Sequence, residues 1–342
     1  FKKYKMTVIA EYVWIGGNNE LRSKTRVMNF SSSNKLELSK YPKWNFDGSS
    51  TKQASGEDSE VVIVPRCVFN SPFLDNSVLI MCDTFTPNGV PLSNNNRVYA
   101  ETIFSNTVVS EQKPWFGMEQ EYFLIEPESG RALGITNEKV QSEGQGKFYC
   151  SVGAGKAFGR KVVEKHLEYC ISAGITISGI NAEVAPGQWE FQIGPCEGLD
   201  AGDHLWMARY VMERVAEEFG YAIDWEPKPE QGDWNGSGCH TNFSTLNMRN
   251  ENTNNKTGLD YINDAIERLS HKHNEHMAVY GTGNELRMTG LHETAKYDTF
   301  SYGTANRGAS IRIGNENVRN KCGYFEDRRP SSNCDPYLVT AK

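Results

Sequence analysis

Residues 115–125, WFGMEQEYFLI, decide how this chain is read. Trp115, Phe116, Tyr122, Phe123 and Ile125 favour extended backbone, and Pro114 marks the start of the run. Side chains alternate across a strand, so Glu119 and Glu121 share one face, roughly 6.6 Å apart along the chain. Two carboxylates side by side on an apolar strand are costly unless a positive group lies between them. A solvated sheet face is the ordinary explanation and a cation site the alternative, so the other strands have to decide.

Working outward, the same alternation returns. In 188–194, QWEFQIG, Trp189, Phe191 and Ile193 alternate with Glu190 and Gln192, and Glu183 precedes a Pro-Gly turn just upstream. In 238–245, GCHTNFST, His240, Asn242 and Ser244 fall on one face and Cys239, Thr241 and Phe243 on the other. Ser310 and Arg312 share a face in ASIRI, as do Tyr324, Glu326 and Arg328 in GYFEDRR. Lys is absent from all these polar faces, where an ordinary solvated face would carry it. Glu119, Glu121, Glu183, Glu190, Glu326 and His240 form a donor set for hard divalent cations, Mg²⁺ or Mn²⁺, rather than for zinc. Arg287, Arg307, Arg312, Arg328 and Arg329 add planar cations suited to carboxylate or phosphate. Metals and arginines around one phosphoryl group are the parts of phosphoryl transfer.

Composition narrows the classes. The chain has 342 residues, 38% hydrophobic, with net charge −7, which points to about two domains and away from nucleic-acid or anionic-membrane binding. No run reaches the ~20 apolar residues of a membrane span. Glu11 interrupts the only apolar stretch near the start, so no signal peptide is expected. A cytoplasmic location follows, with an organellar form left open because upstream residues can have been trimmed. Eight cysteines without a C-x-x-C pair are expected to be reduced and mostly buried.

Residues 6–15 and 21–29 are expected to form a hairpin around Gly16-Gly17-Asn18-Asn19, followed by strands at 61–64 and 78–83. Residues 1–97 are thus expected to form a small β-rich domain, and 98–342 a catalytic one. The latter carries a helix at 98–110, an irregular stretch at 127–160 and further helices at 159–173, 200–219 and 259–280. In the first of these, Val162, Val163, Leu167, Cys170 and Ile171 form the apolar side. His271, His273 and His276 are read as a solvated or subunit-contacting helix end rather than a metal site. No Walker A, G-x-G-x-x-G, G-x-S-x-G or H-E-x-x-H pattern is present.

At these residues the chain resembles the eukaryotic-type (type II) glutamine synthetases. The matching blocks include WNFDGSST at 44–51, NAEVAPGQWEFQIGPCEG at 181–198, WNGSGCHTNFST at 234–245, TGLHET at 289–294 and ANRGASIRI at 305–313, with GYFEDRRPSSNCDPY at 323–337. The resemblance implies an α+β fold: a small N-terminal β-grasp-like domain and a catalytic domain with a curved antiparallel sheet flanked by helices. It implies ATP-dependent ligation of ammonium to L-glutamate through γ-glutamyl phosphate. It also implies a decamer of two pentameric rings with active sites between adjacent subunits, and at least two Mg²⁺ or Mn²⁺ per site.

By the same resemblance, Glu121, Glu183 and Glu190 would hold one metal, and Glu119, His240 and Glu326 another on the ATP phosphates. Arg287, Arg307, Arg328, Asn235 and Gly236 would hold glutamate, and Arg312 and Arg328 would face the transferred phosphate. Trp115, Pro195, Asn242, Ser244, Arg249, Arg312 and Tyr324 would frame ATP. Glu293 would close over the glutamate. Asp47, from the adjacent chain, would form the ammonium site with Ser50 and Tyr149. The chain departs from the family pattern at Ser151 and Gly155, in residues 127–146, and at Ala185, where Met is common. A non-catalytic relative and a guanidino kinase-like phosphotransferase are the competing readings. The six filled metal positions argue against the first, and the 44–51 loop against the second.

Overall fold

A computed structural model describes residues 6–30, 34–251 and 255–342. The first sheet has five strands: β1 (Met6–Ile15), β2 (Leu21–Phe30), β3 (Trp44–Asp47), β4 (Glu60–Asn70) and β5 (Ser77–Phe85), in the order β2-β1-β5-β4-β3. β1 and β5 pair in parallel and the other neighbours antiparallel. The hairpin around Gly16–Asn19 forms as its turn residues require, with Asn19 in left-handed backbone (φ 63°) and Gly16 N–H on Glu20 O at 2.7 Å. The strand expected at 61–64 continues to Asn70 through a register shift between Pro65 and Cys67. β5 lies between two apolar layers. Val78, Ile80 and Cys82 pack with Val8, Ala10, Tyr12 and Trp14, while Leu79 and Met81 join the main core.

The helix expected over 98–110 is two: α1 (Asn96–Phe104) and α2 (Thr107–Ser110). Asn106 divides them, because its side chain caps Val108 N–H and starts a new helix. Then come β6 (Trp115–Glu126), β7 (Arg131–Ala132), α3 (Glu138–Glu143), α4 (Arg160–Ala173), β8 (Ile177–Ala182), β9 (Gln188–Glu197), α5 (Asp200–Phe219) and β10 (Ala222–Asp224). β7 and α3 interrupt the stretch expected to be irregular. The chain continues with β11 (Cys239–Ser244), α6 (Leu246–Arg249), α7 (Gly258–His271), α8 (His273–Met277), β12 (Tyr302–Thr304), β13 (Ile311–Ile313), α9 (Asn315–Asn320), β14 (Phe325–Asp327) and α10 (Pro336–Ala341).

The second sheet runs β12-β13-β14-β11-β6-β9-β8, with β7 and β10 also paired to β6. Its neighbours are antiparallel except the parallel pair β12–β13. This curled sheet flanked by helices agrees with the expected fold class.

Helices cover its back. α5 buries Leu205, Ala208, Met212 and Val215, with Phe219 left 40% exposed at its end. Arg209 of α5 is buried yet satisfied: its guanidinium donates to Gln120 Oε1, Ser332 O and Cys334 O. That bond fixes the back of β6 at the residue between Glu119 and Glu121. α7 begins with a capping box between Thr257 and Asp260 and packs Ile262 and Ile266 against Ile311, Ile313 and Phe325.

Two expectations fail here. The single helix over 259–280 breaks at Lys272 into α7 and α8, and of the three histidines expected at a solvated or subunit-contacting end, His271 is exposed while His273 and His276 are buried within the chain. The break turns His273 inward, where its Nδ1 lies 3.1 Å from Arg329 Nη1 and its Nε2 2.9 Å from Tyr297 O. In α4, Ile171 faces outward and His166 takes the buried position, with Nε2 3.0 Å from Ala208 O. All eight cysteines are free, five of them buried and Cys150 exposed. Among the described residues no helix is long and apolar enough to cross a membrane.

Candidate active site

The strand register assembles the polar face. Glu119 of β6 stands opposite His240 of β11, and Glu121 stands opposite Glu190 of β9. Asn242 and Arg312 both stand opposite Glu326 of β14. Glu183 arrives from the turn after β8, whose Asn181 pairs with Glu190. These contacts create two groups of ligand atoms, each within 4.8 Å of one another: Glu119, His240 and Glu326, and Glu121, Glu183 and Glu190. Both line one cavity of about 320 Å³, except Glu326, which closes behind it.

The second group is electrostatically unsatisfied. Like charges directly opposite on neighbouring strands destabilise a sheet, and here a third carboxylate joins them. Burial raises Glu121 to about 7, against the pull of Gly238 N–H and Arg287. Burial and then Glu121 raise Glu183 to about 8. Burial, Glu119, Glu121 and Glu183 raise Glu190 to about 10. Three buried carboxyls cannot all ionise together unless a cation joins them, so this donor set fits a divalent metal.

The first group fits one as well. Burial and then Arg328 hold the His240 imidazole well below its ordinary pKa, so it is neutral and free to ligate. Its Nδ1 lies 3.6 Å from Glu119 Oε2 and 3.4 Å from Glu326 Oε1. Asn242 Nδ2 donates to Glu119 Oε1 at 2.8 Å, which fixes that carboxylate as outer partners of metal ligands do.

Arginines surround the acids. Arg312 Nε lies 2.5 Å from Glu326 Oε2, and Arg328 Nη1 donates to Glu326 Oε1 at 2.7 Å. Arg328 Nε is buried and has no hydrogen-bond partner among the described residues. Arg287 is held from behind by Asn284 Oδ1 and the carbonyls of Arg328, Arg329 and Pro330, and burial lowers its pKa to about 10. Gly238 lets the chain pass this close, because a Cβ there would stand 2.9 Å from Arg287 Nη1 and 3.0 Å from His240 Nε2.

Loops form the rim. Asn235 and Gly236 line the cavity on one side, and Tyr149, His292, Glu293 and Arg307 on others. Arg307 Nη1 lies 3.3 Å from Glu293 Oε2, and Arg328 Nη2 donates to Glu293 O at 3.1 Å. His292 and Glu293 both adopt left-handed backbone, at φ 52° and 61°. His292 is held between Asp233 Oδ1 (3.0 Å) and Gln145 Nε2 (2.6 Å).

A second cleft of about 450 Å³ adjoins the cavity and shares Glu119 and Gln192 with it. Trp115, Pro195, Asn242, Ser244, Arg249 and Tyr324 all line it. Trp115 and Tyr324 remain 40% and 49% exposed, large aromatic surfaces with no core to enter. The Arg249 guanidinium stacks 3.9 Å from the Trp115 ring centre and donates to Ser244 O and Oγ at 3.0 Å.

Two expected placements differ. Arg312 lines the acidic cavity rather than the aromatic cleft. Ser310 does not share the active face of Arg312; it is fully buried and bonded to Ser301 and Thr299. Asp47, expected to act from an adjacent chain, does not line the cavity of its own chain, and neither does Ser50; Asp47 accepts from Ser49 N–H and from the Ser49 and Ser50 hydroxyls. Asn181, Gln192, His292 and Thr294 also line the cavity without having been singled out as ligands. Gln192 was findable, since it lies two residues beyond Glu190 on the same strand face. His292 sits in an irregular loop and carries no periodic signal.

Comparison with known proteins agrees with this geometry. The family "Glutamine synthetase, catalytic domain" matches residues 94–342. "Glutamine synthetase cytosolic isozyme 1-1" of Oryza sativa subsp. japonica is 52% identical, over 98% of this chain and 92% of the relative. "Putative glutamine synthetase" of Acanthamoeba polyphaga mimivirus is also 52% identical, over 97% and 92%. "Glutamine synthetase, chloroplastic" of Brassica napus is 51% identical, over 99% and 78%. Among solved structures, "GmaS/ADP complex-Conformation 1" superposes with TM-score 0.72 at 18% identity, over 97% of this chain and 76% of that one, a likeness of fold.

Proposed function

The chain belongs to the glutamine synthetase family and makes glutamine from glutamate and ammonia with ATP, and on that premise we propose how its residues divide the work. The observation that carries the proposal is the pair of ligand groups on one sheet face, between an arginine-lined cavity and an aromatic cleft.

ATP occupies the cleft, its base between Trp115 and Tyr324 and its phosphates toward Glu119. Glu119, His240 and Glu326 would hold one divalent cation, and Glu121, Glu183 and Glu190 would hold another. Oxygen-rich donors with one imidazole favour Mg²⁺ or Mn²⁺. Bound cations supply charge neutralisation at the phosphoryl oxygens. Arg287, Arg307, Asn235 and Gly236 hold the glutamate.

A carboxylate is a poor electrophile, so its γ-oxygen first attacks the γ-phosphorus of ATP and ADP leaves. Arg312 and Arg328 stabilise charge on the moving group. Ammonia then attacks the γ-carbonyl of γ-glutamyl phosphate, and inorganic phosphate leaves. Glu293 closes over this intermediate and keeps water from it. Asp47 of a neighbouring subunit, with Ser50 and Tyr149, binds ammonium and accepts its proton.

An Asp47 that lies outside the cavity of its own chain supports an assembly in which adjacent subunits complete each site, here a decamer of two five-membered rings. Light scattering is expected to give a particle of about ten chains. The family match from residue 94 and the separate five-stranded sheet support a division into residues 1–97 and 98–342. Cytosolic relatives support a cytoplasmic location, while a chloroplastic relative of similar identity supports an organellar one. The function itself is tested by phosphate release. Release is expected only when ATP, glutamate and ammonia (or hydroxylamine) are all present, and release from ATP without glutamate would overturn the reading.

A further inference from the structure

We propose that Gln188 is a positioning residue that couples the carboxylate group of Glu121, Glu183 and Glu190 to the loop that receives glutamate. The proposal rests on the reading of that group as a cation site and of residues 235–236 as part of the glutamate pocket.

Gln188 opens β9 and is 1% exposed. Its Oε1 accepts from Ala185 N–H at 3.1 Å. Its Nε2 donates to Gly236 O at 2.9 Å and reaches Glu121 Oε2 and Ser237 Oγ, each at 3.4 Å. This orientation of the amide is the one that works. Turned over, it would set its NH₂ against the Ala185 N–H, and its carbonyl against both the Gly236 carbonyl and the Glu121 carboxylate. One buried amide therefore touches three separate segments: the turn that carries Glu183, the strand that carries Glu121, and the loop at 235–237. The same loop reaches Glu121 a second time, because Gly238 N–H donates to Glu121 Oε2 at 2.8 Å.

A cation that draws the Glu121 carboxylate toward Glu183 and Glu190 moves the acceptor of both contacts. Gly236 and Asn235 move with them, since the Gly236 carbonyl is held by the same Nε2. Glutamate that orders the 235–236 loop returns the effect to Glu121. Coupling between two bound ligands is reciprocal, so it can be read from either side. Gln188 touches neither ligand and acts through Glu121 and Gly236.

The test titrates assembled protein with Mn²⁺, with and without saturating glutamate, for wild type, Gln188→Met and Gln188→Glu. The Met side chain keeps the volume and loses both polar atoms. The Glu side chain keeps the acceptor for Ala185 N–H and replaces the donor by a carboxylate oxygen. In wild type, glutamate is expected to tighten Mn²⁺ by about tenfold, within the usual range of such coupling. In both variants the factor is expected to fall below about twofold, with a raised KM for glutamate and an unchanged KM for ATP. A purely structural role would lower the melting temperature and leave the coupling factor at its wild-type value, and that result would overturn the proposal, as would a wild-type factor of one. If Gln188→Met does not assemble, the same factor is read from Gln188→Glu. Glu121→Ala separates the two readings. Loss of one Mn²⁺ in that variant supports the cation site even where Gln188 fails, and no loss overturns the cation site itself.

Discussion

Two acid–arginine pairs fall at the end of β14 and in the two residues after it, on opposite faces of the sheet, and their surroundings differ. On the back, Asp327 and Arg329 close on each other: Arg329 Nε and Nη2 donate to the two carboxylate oxygens at 2.8 and 2.7 Å. Tyr280 donates to Asp327 Oδ2 at 2.8 Å, and the guanidinium stacks on Tyr280 and Phe300. Burial raises the Asp327 pKa, but the charge and hydrogen bonds of Arg329 outweigh it and hold the carboxyl below its usual range. On the front, Glu326 is also paired, with Arg328 and Arg312, but Arg328 lines a cavity where three other carboxyls, Glu121, Glu183 and Glu190, are pushed far upward by burial and by neighbouring carboxylates. Burial is similar on both sides. Satisfied charge marks a structural pair, and unsatisfied charge marks a place prepared for something not encoded in the chain.

The largest way to break this contrast is to open the closed pair. Asp327→Asn leaves Arg329 buried without its counter-charge and is expected to cost about 3–5 kcal/mol of stability by chemical denaturation. On the front the effect falls on catalysis instead. Glu121→Ala is expected to lower turnover by about 10²–10³-fold or more, the scale of one preorganised charged group. The assembled particle should survive, because the repulsion relieved at Glu183 and Glu190 offsets the lost Gly238 N–H contact. A variant with near wild-type turnover would remove Glu121 from the metal set.

A smaller effect sharpens the contrast by pH. Glu121, Glu183 and Glu190 titrate near 7, 8 and 10 when folded, against an ordinary value of 4.5. Above about pH 5 the folded chain therefore holds protons that the unfolded chain has released. Stability of the cation-free protein is expected to fall as pH rises from 5 through these values, by up to about 1.4 kcal/mol per pH unit for each such carboxyl. Mg²⁺ should flatten the slope by taking the place of the protons. A melting temperature that rises with pH in the absence of cation would contradict the unsatisfied front face.

Much of the site was legible because strand alternation is a local rule. The period of two put Glu119 with Glu121, Glu190 with Gln192, and His240 with Asn242 and Ser244 before any strand was paired. The helix rule did less well at 259–280. The helical period does extend over α7, but local spacing carries no sign of the break at Lys272, beyond which His273 Nδ1 meets Arg329 Nη1 from elsewhere in the chain. The burial of Ser310 escaped for a related reason. Ser310 lies just before β13, and only Ile311–Ile313 form that strand, so alternation does not extend to it.

The sequence by itself determined which side chains could act: carboxylates and an imidazole on the polar faces of apolar strands, arginines beside them, and long motif blocks that resemble one family. Those features are local, set by residue type and spacing. The tertiary structure decided which of them lie within reach of one another. Glu121 meets Glu190, and Glu119 meets His240, through the register between strands separated by 69 and 121 positions, read from the paired residue numbers. Register of that kind is set by packing and closure across the whole sheet, with α5 and α7 holding its back. No short window of sequence carries it.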